Sequence, residues 1–192
     1  MSALILVTGA LPYAIFLAAF NPARVTGELV VLDPGPAVPA LLTPLSAALI
    51  HGGIGHLLLN LVMLVYCGAM VERAIGPRLM LLLYVIGAYA AAAGQWALDP
   101  AGPMIGASGA IAALVGAYAM LYGRRRARAV GPVPVRAVQM LWLFAAWTGL
   151  QLLVGAIGIG GTGRIAIGAH IGGFAAGLAL AAPLLGWRWR RA

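Results

Sequence analysis

The chain is poor in what a water-soluble surface requires. Only 8% of its 192 residues are charged, and just four are acidic: Glu28, Asp33, Glu72 and Asp99. Its single cysteine, Cys67, excludes an internal disulfide. That residue falls within an apolar stretch and reads as packing. No short runs of alternating apolar and polar residues are visible, which argues against a closed membrane barrel. Lysine is absent, so arginine supplies all twelve basic side chains; nothing in the sequence explains that choice.

What is present is apolar. Hydrophobic residues make up 63% of the chain, and the mean hydropathy is +1.01. The net charge of +8 would point a soluble protein toward nucleic acid. Here the arginines cluster in short segments between apolar runs, the pattern of membrane topology signals, so no nucleic-acid partner is expected. Helices satisfy their own backbone in lipid, and about 20 apolar residues cross the hydrocarbon layer. The composition therefore predicts an all-α membrane protein, one domain over residues 1–192, with six spans at about 3–20, 54–71, 79–98, 107–122, 137–156 and 169–187. Residues 4–20 lack a preceding basic residue and a small-x-small cleavage site, so an uncleaved first helix is expected rather than a signal peptide. Segment 21–53, rich in proline, is expected to be a long outer connection, lying partly along the interface.

Arginine counting sets the orientation. With both termini in the cytoplasm, Arg73, Arg78, Arg124, Arg125, Arg126, Arg128, Arg136, Arg188, Arg190 and Arg191 fall inside, and only Arg24 and Arg164 outside. On that topology spans two, four and six all start at the outer face. His56 and Asn60 then lie in the first turns of span two, Ser108 at the start of span four and His170 at the start of span six.

An ionisable residue at membrane depth costs about 2.5–3.5 kcal/mol on insertion scales and marks a functional site by default. All three histidines, His51, His56 and His170, sit within or beside apolar segments. His56 and Asn60 are four apart and share a helix face. His51 would be about half a turn out of phase on a continuous helix, but Gly52 and Gly53 favour a break. It is expected to hang from the loop and reach the same pocket.

Ser108 lies in the small-residue run Gly106-Ala107-Ser108-Gly109, which alone fits close helix packing as well as chemistry. It is not the Gly-x-Ser-x-Gly elbow, because Ala110 stands at the last glycine position. A helix start nevertheless offers unpaired N–H groups and a positive dipole end to an oxyanion. Gly173 and Gly177 form a Gly-x3-Gly face. If it meets the small-residue face of span four, His170 and Ser108 come together, the minimal arrangement of an activated nucleophile. The four carboxylates sit in loops or at span ends, so a Ser–His dyad is expected rather than a triad.

These motifs resemble the rhomboid intramembrane serine proteases over about residues 43–187. The resemblance rests on His51-Gly-Gly-Ile-Gly-His56-Leu-Leu-Leu-Asn60, Gly106-Ala-Ser108-Gly109 and Gly168-Ala-His170-Ile-Gly-Gly173, with Glu72-Arg73 and Gly76 closing span two. It implies a six-helix rhomboid-like bundle in a bacterial inner membrane. It also implies a serine endopeptidase that cleaves transmembrane protein substrates near the outer face, with no cofactor and no metal. Ser108 would be the nucleophile and His170 the base. His51, Asn60 and the Ser108 amide would hold the oxyanion, and His56, Gly106 and Gly109 would support the pocket.

Two departures stand out. Ala112 replaces the aromatic that stacks on the catalytic histidine in many relatives, so His170 is expected to be held by something else, such as Phe174 or a tyrosine, or to be held loosely. The first outer loop, Ala40-Leu-Leu-Thr-Pro44, lacks the family's Trp-Arg pair. Rival readings are a catalytically silent relative that binds membrane proteins, and a membrane haem or metal protein using His56 and His170. The latter leaves Ser108 and Asn60 without a role.

Overall fold

The computed structural model describes residues 1–28, 37–123, 128–156 and 165–190. Among these the fold is helical, with no strand. The expected positions Asp33, Arg124, Arg125, Arg126, Arg164 and Arg191 lie outside the described residues.

Short helices come first: α1 (Ser2–Val7), α2 (Leu11–Ala18), α3 (Pro22–Thr26) and α4 (Thr43–Ser46). The last lies within an apolar helical segment, Ala40–Leu49, where a loop was expected. The expected second span is α5 (Ile54–Met63), a π turn over Leu64–Gly68 and α6 (Ala69–Ile75), together one apolar rod from Ile54 to Ile75. Gly76, at φ +86°, ends it and turns the chain into α7 (Pro77–Leu98), with Pro77 at the first helical position. Then come α8 (Ser108–Tyr122), α9 (Val135–Ala156) and α10 (Ile167–Arg190). Four of these segments are long and apolar enough to cross a membrane: Ile54–Ile75, α7, α9 and α10. Helix α8, with 15 residues, is about 22 Å long, less than a hydrocarbon layer of about 30 Å.

Helix α10 packs against α7 and α8 at backbone contact, and glycine makes that possible. A Cβ at Gly173 would overlap the Gly109 carbonyl, one at Gly177 the Ala113 carbonyl, and one at Gly172 the Ala90 carbonyl. The Gly-x3-Gly face of α10 thus does meet the small-residue face of α8. Below this level Cys67, Val71, Leu83, Leu114, Ala117 and Ala181 close a core, and Cys67 is packing, as expected.

The two ends of the bundle differ. One carries His51, the start of α8 and the start of α10. At the other, Arg188 donates to the Arg73 carbonyl (2.8 Å), with Glu72, Gly76 and Pro77 alongside.

The first 20 residues depart from expectation. Gly9, at φ +70°, separates α1 from α2, so 3–20 is not one helix. Ser2 Oγ reaches the Leu49 carbonyl and His51, while Phe20 pairs through both backbone groups with Met104. Both ends of this segment are therefore held at the histidine end: it folds back there instead of traversing. The first and last described residues consequently sit at opposite ends, contrary to the expected shared side. The apolar run suggested a span; the chain reversal at Gly9 set the path.

Candidate active site

The loop before α8 is fixed from several directions. Gln95, 1% exposed, donates from Nε2 to the carbonyls of Asp99 and Gly102 (both 3.3 Å), and Asp99 Oδ1 accepts from Gly102 N (3.1 Å). Phe20 holds Met104, and Gly106 N donates to Ala47 O (2.9 Å). Gly106 then adopts φ +101°, a region open to glycine. The first i→i−4 bond of α8 runs from Ile111 N to Ala107 O, so the amides of Ser108, Gly109 and Ala110 precede it. Ser108, half-buried, opens the helix.

His170 lies in the first turn of α10. Its Nε2 is 2.8 Å from Ser108 Oγ. The two residues are 62 positions apart in sequence and meet because Gly173 and Gly109 allow their helices to touch. Among the described residues no aromatic side chain stacks on the His170 ring. Its Nδ1 stands 2.7 Å from Gln151 Oε1 on α9. One turn earlier, Trp147 Nε1 donates to the His170 carbonyl (3.2 Å), and the Trp147 ring stacks on Phe174 at 4.7 Å and 6°. Phe174, a candidate for holding His170, is occupied with Trp147 and packs on Ala112. Gln151 was overlooked in the sequence. The signal was available: an amide within an apolar span needs a partner, just as an ionisable group does.

His56 and His51 take different places. A Cβ at Gly106 would lie 2.8 Å from His56 Nε2 and 3.6 Å from Ser108 Oγ, so the His56 imidazole and the serine flank one point. His56 Nδ1 accepts from Gly52 N at 3.4 Å, which puts its proton on Nε2, toward Gly106. His51 does hang from the loop, 5.0 Å from His56 ring to ring in an edge-on contact. It is 4% exposed. Its Nδ1 meets Ser2 Oγ at 2.9 Å, and Ser2 gives its one proton to the Leu49 carbonyl (2.5 Å). Ser2 therefore accepts from Nδ1–H, leaving His51 Nε2 bare; among the described residues that buried atom has no hydrogen-bond partner. Burial, and next the adjacent His56, lower the His51 pKa to about 4. Asn60, buried on the same face as His56, donates from Nδ2 to the His56 carbonyl (2.8 Å).

The arrangement offers a hydroxyl hydrogen-bonded to an imidazole, at a helix start, beside a second imidazole whose Nε2 faces Gly106. Among the described residues no group of three His, Cys, Asp or Glu side chains converges as metal ligands. Both ring nitrogens of His170 are engaged by Ser108 and Gln151, which does not suit an axial haem ligand.

Residues 40–187 match the Rhomboid domain family. The rhomboid protease GlpG of Enterobacter sp. (strain 638) is 35% identical over 138 residues, covering 70% of this chain and 45% of that protein. GlpG of Klebsiella pneumoniae (strain 342) is 34% identical over 140 residues, 71% of this chain and 46% of that protein. RHOMBOID-like protein 4 of Arabidopsis thaliana is 30% identical over 148 residues, 73% of this chain and 33% of that protein. The chain thus spans less than half the length of these curated relatives.

Proposed function

The chain belongs to the rhomboid family, and from that premise we propose that it is an intramembrane serine endopeptidase that cuts transmembrane protein substrates. The observation that carries this reading is the 2.8 Å contact between Ser108 Oγ and His170 Nε2, made where two helices begin at one end of an apolar bundle. The positive-inside rule places the arginine end in the cytoplasm and the dyad toward the outer face.

Ser108 attacks the scissile carbonyl and His170 takes the Oγ proton, later delivering it to the leaving amine. The oxyanion forms beside Gly106. The Ser108 amide, at the positive end of α8, donates to it. His56 is the better second donor, because its Nε2 faces that point while the His51 Nε2 carries no proton in this arrangement. The expected oxyanion role of His51 therefore passes to His56, and His51 supports the His56 ring. Asn60 anchors the same turn through the His56 carbonyl and completes the oxyanion face. Gly106 and Gly109 serve close approach.

A substrate helix must unwind to present its scissile bond, and it enters from the bilayer. Its partners are membrane proteins and lipid. The direct test is reconstitution into liposomes with a single-span substrate carrying helix-breaking residues at its outer end. Cleavage is expected from the wild type and not from Ser108→Ala. Cleavage that persists in Ser108→Ala contradicts the mechanism.

A further inference from the structure

We propose that Gln151 is a positioning residue for His170, its amide oxygen fixing the ring in the one tautomer and orientation that let Nε2 accept the serine proton. This rests on the serine-protease reading above.

The argument begins with proton counting. The Ser108 hydroxyl can give its proton only to a bare ring nitrogen, and a neutral imidazole has one. With Nε2 toward Ser108, the ring proton must sit on Nδ1 and find an acceptor there. Gln151 Oε1 is that acceptor, at 2.7 Å. An amide carbonyl oxygen accepts and never donates, so it selects the Nδ1–H tautomer.

The placement has a physical cost that packing alone does not explain. Gln151 is 7% exposed on a helix whose neighbouring positions, Leu150, Leu152 and Leu153, are apolar and exposed. Turning an amide inward is favourable only if it is bonded there. The same face of α9 touches His170 a second time, through Trp147 Nε1 on the His170 carbonyl. Ring and backbone of His170 are thus both held from α9. Ala112, packed beneath Phe174, brings no ring to the imidazole; the amide restrains it instead.

During acylation the Ser108 Oγ–carbon bond forms as the carbonyl π pair moves onto oxygen, and the Oγ proton moves to His170 Nε2. The imidazolium keeps its Nδ1 proton in the bond to Gln151 Oε1. When the C–N bond breaks, the Nε2 proton goes to the amine. Gln151 gains and loses no proton; its dipole stays aligned with the charge throughout.

Two substitutions separate this role from packing. Gln151→Met keeps the length and removes the acceptor, whereas Gln151→Glu keeps an acceptor oxygen. Labelling of Ser108 by a fluorophosphonate probe, and kcat and KM for a single-span substrate, are measured on folded protein. Gln151→Met is expected to lower kcat and the labelling rate about 10- to 100-fold with KM nearly unchanged. Gln151→Glu should stay within a few-fold of wild type. A packing role gives the opposite order, with Met retaining the rate and Glu losing it; that order overturns the proposal. If Gln151→Met does not fold, nitrogen NMR of the wild type decides. A protonated Nδ1 and bare Nε2 at His170 support the role, and the reverse tautomer overturns it. A wild type that is not labelled at Ser108 removes the protease reading and this role together. A labelled wild type with an unaffected Gln151→Met removes only the role of Gln151.

Discussion

The His56 imidazole occupies the space that any side chain at Gly106 would need: a Cβ there would stand 2.7 Å from its Cε1 and 2.8 Å from its Nε2. Gly106 also holds φ at +101°. Gly106→Ala therefore combines backbone strain of about 1–3 kcal/mol with displacement of a proposed oxyanion donor. It should lower the thermal midpoint by several degrees and cut substrate turnover by more than the stability loss explains. Turnover and calorimetry on the same preparation check both.

His51 and His56 should separate in kinetics. Loss of an oxyanion donor costs about 10²–10³ in kcat, and His56→Ala should fall in that range with KM little altered. His51→Ala should act mainly through the support it gives the His56 ring and show a much smaller drop in kcat. Steady-state cleavage by the two variants decides the assignment.

His51 also gives a pH signature. Its folded pKa, lowered to about 4 from 6.5 by burial and by His56 beside it, lies below the unfolded value. As pH falls through that window the unfolded chain takes the proton first, so the His51 contribution to stability is complete above about pH 6.5 and declines toward pH 4. The thermal midpoints of wild type and His51→Gln should converge as pH falls across this range. Midpoints that stay equally far apart would contradict the buried neutral His51.

Much of this was legible in the sequence because the membrane restricts the choices. Histidines and a serine at the entrances of apolar runs, with arginines at the opposite ends, already placed His56, Ser108 and His170 at one end. The glycine spacing of α10 correctly anticipated which face meets α8. What escaped was local and non-periodic. An apolar run over 3–20 looks like a span whether or not Gly9 reverses it, and hydropathy carries no record of a turn. The proposed division of labour between His51 and His56 rests on which proton Ser2 and Gly52 leave on each ring, which residue spacing does not encode. Gln151 was passed over because an uncharged amide raises less alarm than a charge, although its burial demands a partner just as firmly.

Helix contact should be equally sensitive. An added methyl at Gly177 would overlap the Ala113 carbonyl, as one at Gly173 would the Gly109 carbonyl. Overpacking of this kind costs about 1–3 kcal/mol and moves helices apart. Gly173→Ala, nearer the dyad, is expected to lose more activity than Gly177→Ala at similar loss of thermal stability, which paired melting and activity measurements resolve.

The most direct measurement is peptide mapping of the wild type after reaction with a fluorophosphonate, beside Ser108→Ala and His170→Ala. The adduct is expected on Ser108 alone, absent from Ser108→Ala and nearly absent from His170→Ala. A folded wild type that takes no adduct, or an adduct formed at the same rate without His170, would contradict an activated serine in this bundle.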